Sequence, residues 1–194
     1  PVTIPTLFSA SNSPNLNLAI PRKSDKFLLF IFTFFSSPAT IFLTTFLASI
    51  VNPRGHVYTF DVEPKFMEIA EKNIKKAGMS KYVTMHEVNL KKSKKMPLED
   101  MDLAIIDLGD PWEVLPQVRK MLKSSGSVVA ICPTMNQLEK LSMAFVENEF
   151  TDIECTEHIL RRIEAREGKT RHSYQGIGHT TYLAIARKVH FNKK

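Results

Sequence analysis

The sequence predicts an α/β fold: a mostly parallel sheet with an antiparallel hairpin at one edge. Three observations carry that expectation. From Phe27 onward, short apolar runs alternate with amphipathic stretches of helical period. The connections between them are short, as consecutive βαβ units require. The last two strand-like segments are joined by a basic loop with no helix between them, which makes them antiparallel partners.

The elements follow in order. Residues 1–26 are rich in Pro, Ser and Asn and show no period, so they read as an irregular N-terminal segment ahead of one domain spanning 27–194. Phe27 to Val51 carries no charge and follows basic Arg22, Lys23 and Lys26. That run is long enough for a membrane span. The competing reading breaks it at Ser36-Ser37-Pro38, into a buried strand Phe27–Phe35 and a helix Ala39–Val51 with Pro38 in its first turn. The alternation that follows needs a first strand and helix, so the second reading is preferred. Asn52-Pro53-Arg54-Gly55 is a turn and His56–Asp61 a strand. Pro64–Ala77 places Phe66, Ile69, Ala70 and Ile74 at helical spacing and stops at Gly78.

Tyr82–Glu87 is the third strand, and Lys91–Lys95 reads as a solvated loop. Asp102–Leu108 is the fourth strand, around the buried run Ala104-Ile105-Ile106. A helix over Trp112–Leu122 follows, with Asp110 as its cap and Pro111 at its first position. Ser125-Gly126 turns the chain into strand Ser127–Cys132, and a helix runs from about Asn136 to Glu147. The alternating segments Asp152–Ile163 and His179–Val189 close the domain. Met85, Met121, Met135 and Met143 read as core filler, and Trp112 as a packing residue.

Composition narrows the function classes. The chain has 194 residues, 43% of them hydrophobic, enough for one packed core. Its net charge of +6 suits a polyanionic partner, although a solvated lysine surface gives the same excess. Two isolated cysteines, Cys132 and Cys155, make neither a disulfide framework nor a zinc site; no metal is expected, and the setting is intracellular.

In open parallel sheets, ligands bind beyond the carboxyl ends of the strands, where strand order reverses. The residues at those ends are Asp61 and Glu63, Asn89, Asp107, and Pro133-Thr134. An acid closing the second strand can accept hydrogen bonds from both ribose hydroxyls of a nucleoside cofactor, and Asp61 stands there. Turn or helix-cap chemistry ahead of Pro64 is its alternative role. The fourth strand end is more specific, since Asp107 puts a carboxylate at the mouth of the sheet ahead of a tight turn and a large ring.

Asp107-Leu-Gly-Asp-Pro-Trp112 resembles the Asp-Leu-Pro-x-Pro-Trp motif of the tRNA (adenine-58-N1) methyltransferase family. Leu122–Gln137 is similar to that family's next strand and its Pro-x-x-x-Gln element, and Gly178–Lys188 to its closing Gly-His-Thr-Gly-Tyr-Leu segment. Phe42–Asp61 is similar to its first helix and second strand, so the resemblance spans roughly 42–188. It implies a Rossmann-like class I fold, S-adenosyl-L-methionine as cofactor, and methyl transfer to N1 of adenine in the T-loop of tRNA. It further implies a cytoplasmic setting and a homo-oligomer, a tetramer by resemblance. Asp107 would be catalytic and also touch the cofactor, with Asp61 and Asn89 binding it. Arg161, Arg162, Arg166, Lys169 and Arg171, interleaved with His172 and Tyr174, would grip RNA, a solvated hairpin loop being the plainer alternative.

This chain departs from the family pattern in four places. At the first strand end it has Phe34–Thr40, without the family's glycine-rich loop, whose bare backbone lets the cofactor's amino acid end come close. Residues before about 42 look foreign to the family. Asn89 replaces a usual aspartate, and Gly109 replaces a proline, which should loosen the turn after the fourth strand. Three rival readings follow: a non-catalytic RNA-binding subunit, a membrane-anchored protein, and a methyltransferase of the same fold acting on a small molecule or protein.

Overall fold

The computed structural model describes residues 28–33, 38–93, 98–173 and 181–189. Nine strands and four α-helices follow one another along them. They are β1 (Leu28–Thr33), α1 (Pro38–Val51), β2 (His56–Asp61), α2 (Pro64–Lys76), β3 (Val83–Glu87), β4 (Met101–Asp107), α3 (Leu115–Met121), β5 (Leu122–Cys132), α4 (Met135–Glu147), β6 (Phe150–Glu157), β7 (Ile163–Glu164), β8 (Arg171–His172) and β9 (Tyr182–Lys188). The expected irregular segment 1–26, residues 34–37, Lys94 and Lys95, and the Tyr174 and Gly178-His179-Thr180 positions lie outside the described residues.

Seven strands form one sheet in the order β3-β2-β1-β4-β5-β9-β6, and β7 pairs with β8 in a separate two-stranded ribbon. The pairs among β3, β2, β1, β4 and β5 are parallel. β9 runs antiparallel to both β5 and β6, so the expected hairpin closes one edge. The chain winds outward from β1 through α1 and α2 to β3, then returns to lay β4 on the other side of β1. That return makes the β1/β4 junction the switch point of the sheet.

Strand alternation sends side chains to two faces. On one, α1 packs Ala48 with Leu43, Leu47 and Val51 against Val57, Leu103 and Ile105. On the other, Phe60, Ile106, Val128 and Ala130 meet α3 and α4 through Leu115, Val118, Leu141 and Phe145. Each such large apolar side chain, once fully buried, contributes about 1.5–3 kcal/mol. β4 is buried on both faces because it is central, which explains its unbroken apolar run.

Three local differences from the sequence reading stand out. The single helix expected over Trp112–Leu122 is a 3₁₀ turn, Pro111–Val114, followed by α3. Pro116 lacks an N–H and clashes with the preceding turn, so the α-helix can only start around it. Asp110 makes no side-chain cap there. Met135 and Met143, expected in the core, are 64% and 61% exposed, because the buried stripe of α4 runs through Leu141, Ala144 and Phe145. The uncharged run divides into β1 and α1, and among the described residues no helix is long and apolar enough to cross a membrane. Gly126 is required by close approach: a Cβ there would sit 3.0 Å from the carbonyl oxygens of both Lys123 and Met101.

Candidate active site at the strand ends

Strand register brings the acidic positions into one row. Thr33 pairs with Asp107 and Asp61 with Glu87, while Phe32 pairs with Phe60 one residue earlier. Glu87, Asp61, Thr33 and Asp107 therefore line up across β3, β2, β1 and β4 at their carboxyl ends. Parallel in-register neighbours share a face, so Asp61 and Asp107 rise on the α1 side of the switch point, about 10 Å apart across two strand spacings.

Their local chemistry differs. Asp61 Oδ1 accepts hydrogen bonds from the backbone N–H of Val62 at 2.7 Å and of Glu63 at 3.0 Å. Those bonds fix its carboxylate at the strand end and give it the turn role weighed for it from the sequence. Glu63 itself is the helix N-cap residue of α2 and makes no side-chain cap bond. Asn89 lies just beyond β3, half-buried, its carbonyl oxygen accepting from the N–H of Lys92 and Ser93. Asp107 is half-buried, and burial raises its carboxyl pKa above the ordinary value.

The turn after Asp107 is braced from two sides. Thr134 caps α4 by accepting from Gln137 N–H, and its hydroxyl donates to Gln137 Oε1 at 2.9 Å. Gln137 Nε2 in turn donates to the carbonyl of Gly109 at 2.9 Å. The Pro-x-x-x-Gln element thus ties the start of α4 to the turn. A Cβ on Gly109 would meet nothing within 4 Å, so glycine here is not demanded by space. On the other side, Lys91 Nζ lies 2.6 Å from Glu113 Oε2 and 3.5 Å from Asp110 Oδ2. Lys91 is therefore not the solvated loop residue expected; a long-range ion pair leaves no trace in local sequence. Trp112 packs partly buried against the core, with Lys140 Nζ 4.0 Å from its ring centroid.

The five basic residues lie on the arm between β6 and β9. Arg161, Arg162, Arg166, Lys169 and Arg171 are all exposed, and Arg171 pairs with Glu164 across the β7–β8 ribbon. β6 ends at Glu157, in register with Tyr182 and, through it, with Cys132. The arm therefore leaves the sheet at the same edge as Asp107. A cleft of about 490 Å³ lined by Arg119, Lys120, Glu147 and Lys188 opens at the opposite end of the sheet, where Arg119 is paired with Glu149. It lies far from the strand-end row. Among the described residues no group of His, Cys, Asp and Glu is arranged to hold a metal ion.

A switch point flanked by strand-end carboxylates, with one reversed strand near the far edge, is the architecture of class I S-adenosylmethionine-dependent methyltransferases. A solved S-adenosylmethionine-dependent O-methyltransferase from Thermotoga maritima matches with a TM-score of 0.77 and 26% identity, over 88% of this chain and 62% of that one. The tRNA (m1A58) methyltransferase TrmI from Aquifex aeolicus matches with a TM-score of 0.69 and 28% identity, over 84% of this chain and 63% of that one. The family model of the tRNA methyltransferase complex GCD14 subunit matches residues 39–182, and the chain belongs to that family. Among curated relatives, the tRNA (adenine(57)-N(1)/adenine(58)-N(1))-methyltransferase TrmI of Methanocaldococcus jannaschii is 31% identical over 169 residues, covering 75% of this chain and 60% of that protein. The tRNA (adenine(58)-N(1))-methyltransferase TrmI of Thermus thermophilus is 30% identical over 148 residues, covering 75% of this chain and 57% of that protein. The chain thus spans less than two thirds of the length of these relatives.

Proposed function

We propose that this chain carries out methyl transfer from S-adenosylmethionine to N1 of adenine in the T-loop of tRNA. The observation that carries the reading is the row of Asp61 and Asp107 at the carboxyl edge, on either side of β1, in a chain of this family. The acceptor groups present suit the adenosine half of the cofactor. Asp61 can take the ribose hydroxyls, and Asn89 offers a neutral amide carbonyl to the adenine. When bound, S-adenosylmethionine supplies an electrophilic methyl group. The protein's part is then to position and polarise.

Adenine N1 is a weak nucleophile at neutral pH. Asp107, accepting a hydrogen bond from the substrate's N6 amino group, would push electron density into the ring and stabilise the positive charge that develops during transfer. Its half-buried position strengthens that bond, since fewer waters compete for the carboxylate. The target base has to leave its stack to reach the sheet edge. Arg161, Arg162, Arg166, Lys169 and Arg171 project from that same edge and would hold phosphates while the base is out. Assembly into an oligomer, a tetramer in the family's manner, belongs to the same proposal.

Mass spectrometry of unmodified tRNA incubated with the chain and cofactor tests this directly. N1-methyladenosine in the T-loop is the expected product, absent with Asp107→Ala. A folded chain that leaves tRNA unmethylated would refute the enzymatic reading. The second reading, an RNA-binding subunit without catalysis, is favoured by one feature, the lack of any glycine from Phe34 to Thr40. Calorimetric titration separates the two, because that subunit binds tRNA and takes up no cofactor.

A further inference from the structure

The turns that flank the proposed nucleoside pocket belong to strands that are not neighbours. β3 and β4 are separated in the sheet by β2 and β1. Three strand spacings put them about 14 Å apart. Yet the residues that follow them touch. Lys91, two residues past Asn89, reaches Glu113 at 2.6 Å and Asp110 at 3.5 Å, both in the turn that follows Asp107. Beneath this contact Leu90, Leu108 and Val114 are buried in one cluster, so an apolar floor supports the charged tie. The Lys91 side chain is only 25% exposed. Hydrogen bonding to Glu113, together with the charges of Glu113 and Asp110, holds its ammonium above the ordinary lysine value against the opposing effect of burial. Asn89 is held in the same turn by the Lys92 and Ser93 amides, so a displacement of Lys91 is passed to it over one bonded turn.

We propose that Lys91 is a positioning residue whose tie to Asp110 and Glu113 closes the strand ends on the side away from α1 and fixes the gap between Asn89 and Asp107. This deepens the methyltransferase reading and rests on it. Without the tie, the Asn89 turn keeps its backbone bonds and the burial of Leu90 but loses its link to the turn after Asp107, so the pocket must be narrowed each time a nucleoside enters. The loss falls on cofactor binding, because the Lys91 ammonium is engaged by Glu113 and Asp110 and acts on the pocket through the two turns.

The experiment uses Lys91→Met, which keeps most of the aliphatic stem, with Glu113→Gln and Lys91→Arg. Three quantities are measured on each folded variant: the Kd for S-adenosylmethionine, amide hydrogen exchange across 88–93 and 108–114 without ligand, and kcat at saturating cofactor. Lys91→Met and Glu113→Gln should each weaken cofactor binding about fivefold, the scale of a partly exposed ion pair. Both turns should exchange faster, and kcat at saturating cofactor should stay within about twofold of the parent. Lys91→Arg should restore binding, since it keeps the charge and the reach. Unchanged affinity in Lys91→Met overturns the proposal, even if exchange quickens. So does an equal loss in Lys91→Arg, or a loss confined to kcat. If the parent chain takes up no cofactor at all, the methyltransferase reading fails and the proposal falls with it. The exchange data then still report whether the tie itself exists.

Discussion

Asp107 sits where two demands oppose each other. Burial penalises the ionised carboxyl and raises its pKa, yet the role proposed for it, accepting a hydrogen bond from the substrate's amino group, is strongest in the ionised form. A folded-state pKa above the unfolded one means that the fold favours the protonated acid. The charge therefore costs stability at neutral pH, and that cost vanishes as pH falls below the unfolded value. Asp107→Asn should consequently melt at the same temperature or higher, while methyl transfer drops by about 100-fold or more. Thermal melts and initial rates check both, and a destabilised variant of normal activity would contradict the assignment. Initial rates should also decline on acidification at a higher pH than an ordinary carboxylate would give. The cysteines offer a second residue-scale test. Cys132 is buried, its thiol pushed up to about 11 by that burial and by the nearby Cys155, whereas Cys155 is exposed. Iodoacetamide at neutral pH should modify Cys155 alone in the native protein, and Cys132 only after unfolding, as peptide mass mapping would show.

At the scale of elements, periodicity located what is local and missed what is not. β2 was legible to its last residue, His56–Asp61, because alternation and a turn bound it on both sides. The 3₁₀ turn before α3 was missed because Pro116 outweighs an apolar pattern that looks continuous. The strand-end places of Asp61, Asn89 and Asp107 were legible because strand ends follow from strand assignment. The parts played by Lys91 and Gln137 were not, because each bonds to a partner in another loop. The β6–β9 arm invites its own test. Charge reversal at both Arg161 and Arg162 should weaken tRNA binding and lower the slope of log K against log salt by about 2 or more, as two phosphate contacts are lost. An unchanged slope in a filter-binding series would remove the arm from the RNA interface.

For the molecule as a whole, the order β3-β2-β1-β4-β5-β9-β6 could not be read from periodicity, which fixes the type and sequence of elements but not their neighbours. The family resemblance implied a Rossmann-like layout without naming that order, and β1 takes the central place even though residues before 42 depart from the family's pattern. The described strand of that stretch, β1, ends in register with Asp107, so thermal stability with ligand tests the whole arrangement. Ligand at about 100 times its Kd stabilises a fold by about 2.7 kcal/mol, or several degrees in Tm for a chain of this size. A melt series with increasing S-adenosylmethionine should show that rise. A flat series would favour the subunit without catalysis.

One reversed strand also decides which end of the molecule can be handled freely. β9 runs against its neighbours, so it sets out beside Cys132 and arrives next to Arg119, whose guanidinium donates to the carbonyl of Val189 at 3.2 Å. Val189 therefore sits at the floor of the sheet, with the full strand length between it and the carboxylates. A fluorophore or surface tether joined at Val189 would stand clear of the strand-end row, whereas the same label on the β7–β8 ribbon would obstruct the RNA contact proposed there.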